Sequence, residues 1–316
     1  MTYAQNNLIE ASDYNGLNGG SSGASVSGQL NSVWGIGTGT NGYGQTTGAN
    51  VSIGNTVTAS QWATLINNLN NARKHQAGGA YTNLTAPVTG NRVDFISTLS
   101  SRLTDAFTNR LNFNSTRGTT ITGSNYTVPW GQVLDNQEFN TFVIATVTFG
   151  SSDQARYFFN AGGALSFFCA ATDIAGTNRS NALQAVIGIA PSSGLQYLST
   201  LGANDNSGSY NYTTRNLNRG YYQAEYGNWL ELATLYNTAP YGTTYAQIIY
   251  DAGSSDTTRG SKGNIIRFRL NMYAPTDVGG GTIEISTTTR VDILPPETTY
   301  LSNSWSTPTI TWSTGP

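Results

Sequence analysis

Residues 264–274, NIIRFRLNMYA, alternate without interruption. Ile266, Phe268, Leu270 and Met272 fall on one side; Arg267, Arg269, Asn271 and Tyr273 fall on the other. A period of two marks a β-strand with one face in a core and one toward water, the habit of antiparallel sheets. The same period extends outward from this stretch. Val143, Ala145, Val147 and Phe149 alternate with Phe142, Ile144, Thr146 and Thr148. ALSFFCAATD at 164–173, TYAQIIYDA at 244–252 and GTIEISTTTRVDIL at 281–294 add further strand segments. Crossover helices are missing between most of them, which favours a sandwich over a parallel sheet. Residues 223–237, QAEYGNWLELATLYN, place Tyr226, Trp229, Leu230, Ala233 and Tyr236 at helical spacing and predict one inserted helix. TPTITWSTGP at 307–316 is short and polar, an edge strand or a tail laid on a neighbour.

Upstream of about residue 119 the period changes to 3.6. Trp62, Leu65, Ile66 and Leu69 stand at i, i+3, i+4 and i+7, a helix expected to end near Gly78 and Gly79. Phe95, Ile96, Leu99, Leu103, Phe107 and Leu111 predict another over 93–111. An imperfect repeat, Ala-Ser-polar-aromatic-x-x-Leu, sets Tyr14 against Trp62 and Leu17 against Leu65, with Ser12 and Ser60 as the expected N-caps. The second copy reads as a full helix and the first as a short turn. Between them lies a glycine-rich run, read as an ordered loop with aromatic anchors Trp34 and Tyr43 and a short strand at 51–53. The fold expected is therefore α+β: a helical, loop-rich region at 1–118, then an antiparallel sandwich-like domain at 119–316 with an inserted helix and a C-terminal tail.

Residues 155–167, ARYFFNAGGALSF, carry aromatics up to a glycine pair and apolar residues away from it. Gly162 and Gly163 take positive φ without steric cost and Asn160 tolerates it, so the stretch predicts a hairpin with Phe158 or Phe159 meeting Leu165 or Phe167. Arg156 has no evident acidic partner.

Composition narrows the function. Of 316 residues only 10% are charged, against about 25% in an ordinary soluble domain. The surface must then be built from hydroxyls, amides, glycine and tyrosine rims, which suits a protein packed against neighbours. A net charge of -2 without a basic block disfavours nucleic acid and a polybasic membrane contact. No apolar run approaches the roughly 20 residues of a membrane span, and no secretory signal is expected at the start. The single cysteine, Cys169, excludes an internal disulfide and fits folding in a reducing cytosol.

Chemistry-bearing residues are sparse. The one histidine, His75, falls at a helix end, where it reads as solvated and favoured by the carbonyl terminus. Cys169 sits between Phe168 and alanines and reads as a core residue. One His and one Cys are too few for zinc. Glu225 and Glu231, six apart, point to different sides of a helix, while Asp251 and Asp256 flank a glycine-rich loop without calcium-loop spacing. GIGTGTNGYGQ at 35–45 lacks the strand, helix and lysine of a phosphate loop. No catalytic residue, metal ligand or cofactor is expected.

LIEASDYNGL at 8–17, VWGIGTGTNGYGQ at 33–45, VTASQWATLINNLN at 57–70 and ARYFFNAGGALSF, in that order, resemble virion structural proteins of tailed bacteriophages, best represented in myoviruses of marine bacteria and cyanobacteria. The likeness is clearest over residues 3–170. It implies an oligomeric neck, tail, baseplate or fibre-associated component, folded in the bacterial cytoplasm and assembled into the virion with copies of itself and other virion proteins. Tyr14, Trp34, Tyr43 and Trp62 are the expected docking anchors of the N-terminal region. An alternative is a receptor- or glycan-binding adhesin using aromatics such as Tyr221, Tyr222 and Trp229; a virion-associated hydrolase with acids at Asp251, Asp256 or Glu231 is a third reading.

Overall fold

A computed structural model of the chain describes residues 10–19, 27–38, 41–78, 81–89, 96–113, 117–192, 196–199, 212–214, 229–237, 242–252, 263–276 and 280–316. It is an α+β fold: a helical N-terminal region followed by two antiparallel sheets.

The N-terminal region holds α1 (Ala11–Asn18), a 3-10 turn at Leu30–Ser32, α2 (Ala59–Ala77) and α3 (Ile96–Thr108). Both copies of the repeat are helices, and neither is capped by the expected serine. Glu10 opens α1, its backbone N–H donating to the Asp13 carboxylate at 2.9 Å. Thr58 opens α2: its hydroxyl accepts from the Gln61 N–H at 3.3 Å, and its own N–H donates to Gln61 Oε1 at 2.8 Å. This reciprocal box satisfies two N–H groups that a serine two residues inside does not serve. Tyr14 and Trp62, aligned by the repeat, meet edge to face with ring centroids 5.3 Å apart. The strand expected at 51–53 is a turn instead, with Ile53 96% exposed.

The β region begins with β1 (Tyr126–Pro129) and β2 (Phe139–Thr148). α4 (Ser152–Asn160) leads into β3 (Ala164–Asp173), and α5 (Asn178–Ser192) into β4 (Gln196–Ser199) and β5 (Tyr212–Thr214). Then follow β6 (Leu230–Tyr236), β7 (Tyr245–Ala252), β8 (Ile265–Ala274), β9 (Ile285–Leu294) and β10 (Thr309–Gly315). One sheet has the order β1-β9-β3-β4, the other β10-β2-β8-β7-β6-β5, and every pairing is antiparallel. Their inner faces meet through Phe167 of β3, stacked on Phe268 of β8 at 5.5 Å, and Trp312 of β10, stacked on Tyr126 of β1 at 5.2 Å. Val143, Ala145, Val147, Ile266, Leu270 and Met272 are buried beside them, as the alternation requires.

The β region departs from the sequence reading at α5, β6 and α4. The inserted helix is α5, packed against β3, β7 and β8, whereas residues 230–236 form β6. Its apolar set, Ala182, Leu183, Val186 and Ile187, is buried. In β6 a bulge between Glu231 and Ala233 breaks the alternation, so the spacing imitates a helix.

The stretch at 155–167 is no hairpin. Ser151 caps α4 by accepting from the Gln154 N–H at 3.1 Å, and Asp153 lies in the first turn, where a carboxylate suits the helix dipole. Phe158, Phe159 and Asn160 belong to this helix. Gly162, at φ 89°, ends it: the N–H groups of Gly162 and Gly163 bond back to the carbonyls of Phe159 and Phe158 at 3.2 and 2.8 Å. A Cβ on Gly162 would lie 2.4 Å from the Phe113 ring, so both conformation and space demand glycine.

Candidate functional site

Trp34 and Tyr43 fix the glycine-rich loop, which folds back on itself. The N–H groups of Tyr43, Gly44 and Gln45 bond to the carbonyls of Val33, Gly35 and Trp34, each at 2.9 Å. Gly44 has φ 71°, and a Cβ there would lie 2.2 Å from the Tyr157 ring of α4. The loop is thus pressed against α4, and its outward carbonyls need donors.

Arg156 supplies them. One Nη1 donates to the carbonyl oxygens of Ile36, at 2.5 Å, and Asn41, at 2.8 Å, while Nη2 pairs with Asp153 at 2.8 Å. Asn160, one turn on, donates to the Asn41 carbonyl at 3.1 Å. Arg156 therefore does have an acidic partner, three residues away on its own helix. Asp153 is largely exposed, so the pair itself contributes little; the two carbonyl bonds, made by a buried guanidinium, dominate.

A second polar cluster surrounds Tyr43. Its hydroxyl donates to the Arg110 carbonyl at 2.6 Å and accepts from Gln76 Nε2 at 3.0 Å. Complete burial pushes this phenol far above its ordinary pKa, so it stays a neutral donor. Gln45 donates to the Ser302 carbonyl and accepts from the Ser302 N–H, both at 2.8 Å. Ser304 donates to the Tyr43 carbonyl at 2.8 Å. One loop is thereby bonded to α2, to the end of α3, to α4 and to the segment after β9.

His75 is not solvated. It is fully buried, and its Nδ1 lies 3.0 Å from Glu297 Oε1, with the Tyr43 ring edge-on at 5.0 Å. The other Glu297 oxygen accepts from the N–H groups of Thr299 and Tyr300 at 2.6 and 3.2 Å. Burial alone would raise the Glu297 pKa. The hydrogen bond and charge of His75, with those two N–H groups, outweigh it and hold the carboxyl below its usual value. An ionised carboxylate accepts, so Nδ1 carries the proton that His75 donates. Nε2 has no hydrogen-bond partner among the described residues. A carboxylate-oriented imidazole is half of a hydrolytic triad, but the other half is a nucleophile with access to substrate. Here the pair is sealed against the Tyr43 ring and fastens α2 to the segment following β9.

The remaining expected positions sort in the same way. Tyr14, Trp34, Tyr43 and Trp62 are all at least nine-tenths buried in this chain's own core, so they anchor the fold and are unavailable as docking anchors. Cys169 is buried and its thiol is pushed up to about 12 by desolvation, which keeps it protonated. Asp251 lies on β7, buried, in a bidentate pair with Arg267 opposite it on β8. The guanidinium of Arg267 lies over Trp229 at 4.9 Å. Glu225, Asp256, Tyr221 and Tyr222 lie outside the described residues. Among the described residues no three His, Cys, Asp or Glu side chains gather. A cleft of about 180 Å³ opens between Phe158, Pro295, Pro296, Asn303 and Trp305, and no titratable side chain lines it. Across β6, β7 and β8 run Tyr236, Tyr245 and Tyr273, but Tyr245 and Tyr273 stack on each other at 5.2 Å and turn their faces inward to the row. Comparisons with protein-family models, curated proteins and solved structures find no match to this chain.

Arg156→Met removes the guanidinium bonds to the Ile36 and Asn41 carbonyls and is expected to cost about 2–4 kcal/mol in urea denaturation, whereas Asp153→Asn costs less than about 1 kcal/mol. Equal costs would mean that the carbonyl bonds do not matter. Glu297 predicts a pH dependence. Because its folded pKa is depressed, its contribution is complete above the ordinary carboxylate range and fades as pH falls through the lowered folded value. Thermal melts of wild type and Glu297→Gln should therefore differ most near about pH 7 and converge toward about pH 3. A difference independent of pH would contradict an ionised Glu297.

Proposed function

We propose that the chain is a structural subunit of a tailed-phage virion, an oligomeric neck, tail, baseplate or fibre-associated component that works by contact with copies of itself and other virion proteins. The observation that carries this reading is the employment of the ionisable groups. Among the described residues, those that are buried fasten the chain to itself: His75 with Glu297, Arg267 with Asp251, and Arg156 and Arg179 with main-chain carbonyls. What remains outside is mostly hydroxyl, amide and glycine, a surface with little charge to keep molecules apart. The four ordered motifs that resemble phage structural proteins supply the setting. Since Tyr14, Trp34, Tyr43 and Trp62 are consumed in the core, contacts with the particle fall to the outer surfaces and sheet edges.

Antibodies raised against the recombinant chain provide the test. Particles purified through a density gradient should carry the chain and bind gold-labelled antibody at one repeated position. Recovery of the chain only in the soluble fraction of the lysate, with unlabelled particles, would end this reading.

A further inference from the structure

Among the described residues the two sheets together have four edges, and three are short. β1 has 4 residues and ends in Pro129, β4 has 4 and β5 has 3. Shortness and proline are how sheets protect an edge from further pairing. β10 is different. Its 7 residues, TITWSTG, pair with β2 in unbroken register, Thr309 opposite Thr148 through Gly315 opposite Phe142. It has no bulge, no internal proline and no charged residue, and β2 behind it (FNTFVIATVT) is also without charge. Successive peptide groups of an antiparallel strand face alternate sides, so about half of the N–H and C=O groups of β10 point away from β2.

We propose that β10 is a self-association edge, on which a second copy of the chain lays its own β10 antiparallel about a two-fold axis at Trp312. Electrostatics selects this occupant. Full overlap about Trp312 sets Thr309 against Gly315, Ile310 against Thr314, Thr311 against Ser313, and Trp312 against Trp312. No pair brings like charges together, and hydroxyl, β-branched and aromatic partners are favourable across strands. Two identical neutral edges thus meet without the repulsion that a charged surface imposes on its own copy. The inner-face Trp312, half-buried and stacked on Tyr126, gains a cross-strand aromatic neighbour. Pairing joins two six-stranded sheets into one continuous sheet.

A strand of 7 residues is about 23 Å long. Its pairing buries less than the roughly 1,200 Å² of a stable complex, so the dimer is weak in solution, half formed near roughly 10⁻⁴ M. In an assembly the contact is repeated and tightens through effective concentration. The proposal deepens the assembly reading above and rests on it only for that setting. Dimerisation is measured on purified protein, so either can fail without the other.

Thr311 and Ser313 are exposed and face away from the core, opposite each other across the proposed axis. Sedimentation velocity over a concentration series should show reversible dimerisation of the wild type. T311K/S313K and T311E/S313E should each weaken it at least about tenfold while melting as wild type does, and their equal mixture should restore it. Amide hydrogen exchange of the unsubstituted protein is the second measurement: protection should rise with concentration along Thr309–Gly315. A wild type that stays monomeric to about 1 mM, a lysine variant that still dimerises, a mixture that does not associate, or protection that ignores concentration would each overturn the proposal.

Discussion

The glycine-rich loop around Tyr43 is the constraint on which the rest depends. A loop buried between helices and a sandwich carries polar main-chain groups that water cannot reach, and each must find a partner inside the protein. Arg156 and Asn160 answer from α4 and Ser304 from the segment after β9, while Gln76 of α2 holds the Tyr43 hydroxyl and the Gln45 side chain bonds Ser302. These donors come from segments more than 250 residues apart in sequence, as the Gln45 to Ser302 bond shows. The helical region and the sandwich accordingly share one continuous apolar core, running from Ala11 through Phe158 to Trp305.

That arrangement accounts for how few ionisable groups the chain carries and where it keeps them. His75 and Glu297 have the chemistry of a catalytic pair and the surroundings of a fastener: no exposed edge and an aromatic ring alongside. Arg267, partly exposed, likewise fastens the buried Asp251 across β7 and β8. With these groups turned inward and only 10% of the chain charged, the outer surface is mostly hydroxyls and amides. A surface of that kind suits repeated contact, and β10 is where the fold offers it most openly.

Much of the fold was legible. The alternation in β2, β8 and β9 and the helical spacing in α2 and α3 correspond directly to which residues are buried. Failures have physical causes. Every residue of α4 from Ala155 to Asn160 is buried: its polar stripe, Arg156 and Asn160, faces the loop instead of water, and the aromatic run beside it reads as strand. The Ser151 cap and the Gly162 stop were the signals that could have found it. A bulge disguised β6 as a helix. In α5, Ala182, Leu183, Val186 and Ile187 carried a helical pattern that strand-rich surroundings obscured. The site was less accessible still. Nothing local joins His75 to Glu297, 222 residues away, or tells that Tyr43 faces this chain's own core instead of a neighbour's.

The central claim is that helices and sandwich are one cooperative body, held at the loop by bonds from both. Differential scanning calorimetry of the full chain tests it most directly. One heat-absorption peak is expected, with calorimetric and van't Hoff enthalpies that agree. Two resolved peaks, with the helical region melting apart from the sandwich, would contradict it.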